Sequence, residues 1–217
     1  MIQRLERQFA GRTLSLEVGR MAKLAHGSCL VQYGDTVVLC AVTAQDKPTH
    51  LPFFPLTVEY REKAYAAGKI PGGFFKREGR PGEKEILSAR QIDRPIRPLF
   101  PDGFMHETQI ACFILSADQE NDADVLALLG ASVALNMSKI PFSTLVASVR
   151  VARIKENWVV NPTFEQLQYS DVDIVVAGSE EALTMVEGAA VEVPESDVLE
   201  GLQVAQGAIQ ELCALQK

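Results

Sequence analysis

Two apolar runs flank the dipeptide Gly34-Asp35 and limit what the N-terminal part of this chain can form. The first run covers residues 29–33, and the second covers residues 36–42 and is rich in β-branched side chains. A two-residue turn containing glycine, placed between such runs, is typical of a β-hairpin. The sequence therefore predicts a hairpin here, with its second strand buried on both faces.

Further strands and helices follow along the chain. Strands are predicted at residues 54–60 and 109–116, with hairpins at 145–160 and 171–187. A helix is predicted at residues 83–93, ended or kinked by Pro95 and Pro98. A second helix is predicted after a cap at Asn121, with small residues that allow close approach, and a third after a cap at Ser196. The predicted buried positions of the second helix are Val125, Leu128, Leu129, Ser132 and Leu135. This order predicts a mixed α/β (α+β) fold, with helices packed on a sheet and residues 1–217 forming one domain.

Composition excludes several classes of protein. Hydrophobic residues make up 47% and charged residues 23% of the 217 residues, which is ordinary for a globular chain. No apolar run is long enough to span a membrane, and the N-terminus has no secretory apolar region. The four cysteines are widely separated, so we expect reduced core thiols, no zinc site and a cytoplasmic protein with no membrane contact.

The charge is unevenly distributed. The net charge is −7, but residues 61–97 hold ten Lys/Arg against five Asp/Glu. A basic segment on an acidic body suits a focused anion site. On charge alone, a solvated loop is the more economical interpretation.

The segment Phe74-Phe75-Lys76-Arg77-Glu78-Gly79-Arg80 carries the clearest local pattern. It lies within residues 66–82, a Gly- and Pro-rich stretch that predicts a long loop. Exposed phenylalanines are unfavourable in water, whereas the bases of single-stranded RNA stack on such rings and cations meet the phosphates. The other interpretation, equally supported by these residues alone, places both rings in the core or a subunit interface.

Other charged groups carry weaker patterns. Arg90, Arg94 and Arg97 have helical spacing and need counter-anions, either phosphates or carboxylates such as Asp93 and Glu85. Two carboxylate clusters, Glu165 with Asp171 and Asp173 and the acids of residues 118–122, could in principle hold Mg²⁺. Caps and turns explain such clusters better, so we predict no metal ligand and no catalytic residue in this chain.

Three longer segments carry a resemblance to a known family. They are residues 53–58, residues 65–81 (Tyr-Ala-Ala-Gly-Lys-Ile-Pro-Gly-Gly-Phe-Phe-Lys-Arg-Glu-Gly-Arg-Pro) and residues 92–101 (Ile-Asp-Arg-Pro-Ile-Arg-Pro-Leu-Phe-Pro). Over nearly its whole length the chain resembles the N-terminal core domain of the bacterial polynucleotide phosphorylases. The resemblance implies a ribonuclease-PH-like domain.

The resemblance also implies a function. The family degrades RNA from its 3′ end with inorganic phosphate as co-substrate, releases nucleoside diphosphates reversibly and takes part in mRNA turnover. It forms a homotrimeric ring around an RNA channel, with RNA-degradation partners such as an endoribonuclease and a helicase. The family's Phe-Phe-Arg-Arg loop corresponds to Phe74, Phe75, Lys76 and Arg77. The RNA-binding residues implied are these four together with Arg80, Arg94 and Arg97.

The same resemblance implies that this chain is incomplete as an enzyme. The family's phosphate and Mg²⁺ residues lie in a second core domain, followed by RNA-binding modules. Related catalytic domains place two Asp six residues apart with a Lys shortly after, whereas here Glu165 and Asp171 have that spacing and Val175 stands near the Lys position. We therefore expect a non-catalytic sister domain in a fragment of a longer enzyme.

A pure RNA-binding scaffold is the alternative. A free-standing tRNA-trimming nuclease is disfavoured, because the early Arg-Pro-Asp-Gly-Arg and Asp-Gly-Gly sequences of that type are absent.

Overall fold

The structure, a computed structural model, describes residues 1–74 and 76–217 of the chain. Within these residues the strands are β1 (Gln3–Phe9), β2 (Arg12–Val18), β3 (Gly27–Tyr33), β4 (Thr36–Pro48), β5 (Leu56–Glu62), β6 (His106–Ser116), β7 (Ala147–Ile154), β8 (Asn157–Val160), β9 (Ser170–Gly178) and β10 (Leu183–Ala190). The helices are α1 (Glu83–Ile96), α2 (Asp124–Asn136), the single turn α3 (Phe164–Leu167) and α4 (Glu195–Gln216), and short 3₁₀ turns lie at Ala64–Ala67 and Arg97–Leu99. The predicted mixed α/β fold is confirmed.

The larger sheet has six strands in the order β1-β2-β3-β4-β6-β5. The predicted hairpin is confirmed as β3 and β4, with Cys29 opposite Cys40 and Gly34 at a positive φ of 59° in the turn. Only one face of β4 is fully buried and the other is half-buried, so the prediction of two buried faces is wrong. Strand β5 lies at the sheet edge and pairs with β6 in parallel, which requires a crossover connection through the loop and α1.

The smaller sheet has four antiparallel strands in the order β10-β9-β7-β8. Both predicted hairpins are confirmed. The tight turn between β7 and β8 consists of Lys155 and Glu156, with φ values of 49° and 65°, as a two-residue hairpin turn requires.

Helix α2 is buried on every side because it lies between the two sheets, with contacts to β3, β4, β6 and β7. The five buried positions predicted from its spacing are confirmed, but the burial extends around the whole helix. A Cβ added at Gly130 would lie 2.6 Å from the Cys40 sulfur, which explains the glycine there.

The predicted Asn121 cap of α2 is wrong. Ala123 occupies the cap position, and the Asn121 amide instead donates to the carbonyls of Asn161 and Pro162.

The other two long helices depart from prediction at their ends. Helix α1 runs through Pro95 to Ile96, because a proline in the last turn removes only one intrahelical hydrogen bond and both residues are buried. Helix α4 begins after Pro194, and the Ser196 hydroxyl donates to Asp197, so the predicted Ser196 cap is wrong.

One hydrophobic core joins α2, α4 and the inner faces of both sheets. All four cysteines are buried free thiols, as predicted. Burial raises the pKa of Cys29 to about 12 and that of Cys213 to about 11, which makes both thiols unreactive at neutral pH. Within residues 1–74 and 76–217, no helix combines the length and the apolar character needed to cross a membrane.

Candidate nucleic-acid interface

Residues 68–82, here named the basic loop, connect the 3₁₀ turn after β5 to the start of α1. Gly68, Gly73 and Gly79 have φ values between 67° and 72°, a conformation that glycine adopts at no steric cost. Lys76 also has a positive φ, 49°, which is unusual for a side chain of its size. Glycine at three of these positions therefore lets the loop adopt backbone conformations that other residues rarely adopt.

The base of the basic loop is attached to the body by Glu78, by Arg61 and by Glu85 of α1. The Glu78 carboxylate accepts a hydrogen bond from the Ala64 backbone N–H at 2.9 Å, and Arg61 donates to the Gly79 carbonyl at 3.4 Å. The Glu85 carboxylate accepts from the backbone N–H groups of Glu62 and Gly82 at 2.9 and 2.7 Å, and pairs with Arg61 at 3.2 Å. Because Glu78 is turned toward the body, it forms no ion pair with the loop cations among the described residues.

The cations of the basic loop face water. Lys76, Arg77 and Arg80 are exposed, and none forms an ion pair with a carboxylate in the described part of the chain. The Phe74 side chain is 94% exposed. Phe75, which we predicted to bind RNA, lies outside the described residues. Exposed cations beside an exposed aromatic ring have the chemistry needed to bind phosphates and stack on a base.

The three arginines of the α1 region have different surroundings. Arg90 and Arg94 both border a groove of about 440 Å³ between α1 and β5, and Arg94 pairs with Glu187 at 2.8 Å. Arg97 turns to the edge of β5, where it donates to the Phe54 and Leu56 carbonyls, each at 3.0 Å, and to Asp93 at 2.6 Å. Asp93 is thus confirmed as a counter-anion.

The other predicted counter-anion, Glu85, was wrongly assigned, because it pairs with Arg61. Arg97 forms four hydrogen bonds to the protein, which gives it a structural role in addition to the RNA contact that we predict. The RNA contacts of Arg94 and Arg97 stay predictions.

A second charged cluster, here named the Arg150 network, lies where α2 meets the smaller sheet. The Arg150 guanidinium on β7 contacts Asp124 at 3.0 Å, Asp173 at 3.1 Å and Asp122 at 3.8 Å. Burial alone would lower the pKa of Arg150, but these carboxylates outweigh burial and raise it. Burial, and then repulsion from Asp122, raises the pKa of Asp124. The network neutralises buried charge within the protein.

Two of the carboxylates considered for Mg²⁺ are bonded to arginines. Both oxygens of Asp171 accept hydrogen bonds from Arg153, at 2.9 and 2.6 Å, and both oxygens of Asp173 accept from Arg150. The bonds from Arg153 lower the pKa of Asp171. Glu165 is exposed on α3. Asp171 and Asp173 are therefore neutralised within the protein, and the absence of a metal ligand in this chain stays a prediction.

Two family profiles match the chain. The 3′ exoribonuclease family, domain 1, matches residues 10–141, and the 3′ exoribonuclease family, domain 2, matches residues 144–208. The chain belongs to the 3′ exoribonuclease family.

Curated relatives narrow the comparison within that family. The chain is 61% identical over 216 residues to a polyribonucleotide nucleotidyltransferase of Gemmatimonas aurantiaca, covering 100% of the chain and 30% of that relative. It is 50% identical over 209 residues to a polyribonucleotide nucleotidyltransferase of Bacillus subtilis, covering 96% of the chain and 30% of that relative. The predicted resemblance is confirmed, and the chain spans under a third of the length of these relatives.

A solved structure has the same fold. The Archaeoglobus fulgidus exosome with RNA bound to the active site matches 100% of the chain and 88% of that structure's chain, with a TM-score of 0.71 and 18% sequence identity. This similarity confirms the ribonuclease-PH-like fold.

Proposed function

We propose that this chain is the non-catalytic, RNA-gripping core domain of a phosphorolytic 3′-to-5′ exoribonuclease, a polyribonucleotide nucleotidyltransferase. The complete enzyme converts RNA and inorganic phosphate reversibly into nucleoside diphosphates and acts in mRNA turnover in the cytoplasm. The identity of 50% and 61% to relatives of that name supports this activity. As part of the proposal, residues 1–217 form one ribonuclease-PH-like core domain.

The basic loop carries the proposal. Its acid, Glu78, is bonded to the Ala64 backbone, and its cations have no carboxylate partner among the described residues. Like charges that repel each other without a counter-ion cost stability, and a polyanion removes that cost. Phe74, Phe75, Lys76, Arg77 and Arg80 would bind single-stranded RNA by stacking and phosphate contact, with Arg94 and Arg97 as further contacts.

Assembly and cofactors are part of the same proposal. Three copies of the complete protein would form a ring whose RNA channel is narrowed by the basic loops. An endoribonuclease and a helicase are the partners that the family resemblance implies. We assign Mg²⁺ and the phosphate co-substrate to a second core domain of the complete enzyme, because Asp171 and Asp173 here are bound to arginines.

A second candidate function is a binding or scaffold role with no turnover. The same arginine-bound carboxylates favour it for the isolated chain. The two candidates make different predictions for the complete enzyme, in which only the first includes release of nucleoside diphosphate.

Two measurements test the proposal. Binding of labelled oligoadenylate to the 217-residue chain, followed by anisotropy across salt concentrations, should show a salt slope that Arg77→Ala reduces by about one phosphate contact. Phe75→Ala should weaken binding by roughly 1–3 kcal/mol. Lys47→Ala, an exposed lysine on β4, is the matched control.

Release of nucleoside diphosphate from poly(A) with phosphate and Mg²⁺ should be slight for the chain alone and robust for the complete enzyme. Robust release by the chain would overturn its non-catalytic assignment. Unchanged RNA binding in both loop variants would overturn the RNA role of the loop.

A further inference from the structure

A second cleft, here named the alanine cleft, lies at the base of the basic loop. The 3₁₀ turn Ala64–Ala67, the segment that precedes α2 and the first residue of α3 surround it. Its volume is about 520 Å³. Small-molecule sites typically range from roughly 300 to 1,000 Å³, so the cleft has the size of a ligand site.

Small apolar side chains form much of the lining of the alanine cleft. Ala64, Ala66 and Ala67 come from the 3₁₀ turn, and Ala117 and Ala123 come from the two sides of the β6–α2 connection. The Ala117 backbone N–H donates to the Ala66 carbonyl at 3.0 Å, which holds these two segments together. Alanine methyl groups leave a smooth surface that a planar ring can cover.

An aromatic ring completes the lining. Phe164 is the first residue of α3, and its side chain is 40% exposed. Its backbone N–H donates to the Glu120 carbonyl at 2.8 Å, and Thr163 caps the turn by accepting from Gln166. The backbone of Phe164 is therefore held beside the cleft, where a nucleobase could stack on its ring.

Lysines lie at the same cleft. Lys63 and Lys69 border it, and neither forms an ion pair within residues 1–74 and 76–217. Lys84 also borders it, and it pairs with the two carboxylates of the lining, Glu62 at 2.8 Å and Asp122 at 3.2 Å. Two ammonium groups without carboxylate partners are suited to a phosphate.

We propose that the alanine cleft binds one nucleotide, with its base against Phe164 and the alanine surface and its phosphate at Lys63 and Lys69. The nucleotide could be a unit of an RNA strand or a free nucleoside diphosphate, because both have this chemistry. The RNA source rests on the proposed function, whereas binding of a free nucleotide does not. The cleft uses none of the exposed cations of the loop segment 76–80.

Methyl NMR of the 217-residue chain, with labelled alanines, tests the site directly. Added ADP, and separately oligoadenylate, should shift the methyl signals of the cleft alanines and leave those of Ala205 and Ala208 on α4 unchanged. Phe164→Ala should raise the dissociation constant about tenfold, the loss of one stacked base. Lys69→Ala should raise it several-fold.

Matched controls are Tyr169→Ala, an exposed aromatic residue that does not line the cleft, and Lys47→Ala. Both controls should bind as the parent chain does. Adding Arg77→Ala separates the two proposals, because it should weaken binding of oligoadenylate but leave ADP binding unchanged.

Each outcome of these measurements either supports or overturns the nucleotide site. Shifts at the cleft alanines that need a higher probe concentration in Phe164→Ala, with either probe, support the site. Binding of oligoadenylate that responds to Arg77→Ala but not to Phe164→Ala overturns the cleft and leaves the proposed function standing. Binding of ADP with no binding of oligoadenylate supports the cleft and contradicts the RNA role of the loop. Binding of neither probe overturns the cleft.

Discussion

The basic loop and the Arg150 network use the same types of charged side chain in opposite ways. In the network, one half-buried guanidinium has three carboxylates around it, from Asp122, Asp124 and Asp173. In the loop, Lys76, Arg77 and Arg80 face water, and the nearby acid, Glu78, is bonded to backbone. A charge that is neutralised within the protein stabilises the fold, whereas an exposed charge without an ion-pair partner can bind a ligand.

This difference has an energetic basis. A buried charge must be paired, because removing it from water costs several kcal/mol. An exposed charge keeps its water and contributes little to stability, about 0–1 kcal/mol even when paired. The two regions should therefore respond very differently to loss of a cation.

The largest effect should follow Arg150→Met. The substitution leaves Asp124 buried beside Asp122 with no guanidinium, so the free energy of unfolding should fall by about 3–5 kcal/mol. Urea denaturation measures it. Arg150→Lys, which keeps the charge, should lose less, and Asp124→Asn added to Arg150→Met should recover part of the loss. An unchanged denaturation midpoint for Arg150→Met would remove the basis of the comparison.

An intermediate effect is expected at Asp118, which pairs with Arg12 at 3.2 Å near the surface. Burial alone would raise its pKa, but hydrogen bonds from the Glu120 and Asn121 backbone N–H groups and the Arg12 charge outweigh burial and lower it below its ordinary 3.8. Because the folded-state pKa is depressed, the charged form of Asp118 stabilises the fold. This contribution to stability is present above pH 3.8 and is lost as the pH falls through the folded-state pKa.

Asp118→Asn should therefore cost about 1 kcal/mol at neutral pH, the difference between a charged and a neutral acceptor. The cost should shrink in acid. Urea midpoints measured from pH 6 to pH 3 for both chains check this, and a constant difference between them would contradict the pKa direction.

A smaller effect is expected at Glu78. Glu78→Ala removes the bond to the Ala64 N–H and should lower stability by about 0.5–1 kcal/mol. Glu78→Gln keeps an acceptor oxygen and removes a negative charge, so it should leave stability unchanged and tighten oligoadenylate binding at low salt. Thermal melts and anisotropy give the two values. Weaker RNA binding by Glu78→Gln would show that the negative charge of Glu78 does not repel the RNA.

The smallest effect on stability should follow the double change Lys76→Ala with Arg77→Ala. Both side chains are exposed without ion pairs in the described residues, so the free energy of unfolding should change by less than about 0.5 kcal/mol. RNA binding should nevertheless weaken. A marked fall in melting temperature would mean that the loop cations are structural, and the contrast with Arg150 would fail.

Local patterns predicted much of this fold and part of the site. The β3–β4 hairpin and the basic loop were predictable because turn residues and neighbouring side chains define them within a few positions. The cap of α2 was not predictable, because the Asn121 amide donates to the carbonyls of Asn161 and Pro162, forty residues away. A side chain that fits a local cap can be drawn away by a tertiary partner that no local pattern reveals.

The Arg150 network was missed for a similar reason. Its acids come from the start of α2 and from β9, about fifty residues apart, and only the packing of α2 between two sheets brings them to β7. The same packing explains why α2 is buried on every side rather than along one stripe. The alanine cleft also depends on contacts between distant segments, since Phe164 and the turn Ala64–Ala67 are a hundred residues apart.

The parallel pairing of β5 with β6 has a consequence for how this part of the chain can vary. The crossover that this pairing requires contains the basic loop, and its ends are fixed by β5 and α1. The entropic cost of closing a flexible loop grows only with the logarithm of its length, by roughly 0.6 kcal/mol for each doubling. Residues can therefore be inserted near Gly73 at little cost to folding. The sheet and α1 fix the two ends of the binding loop. The length of the loop can therefore change while the fold stays the same.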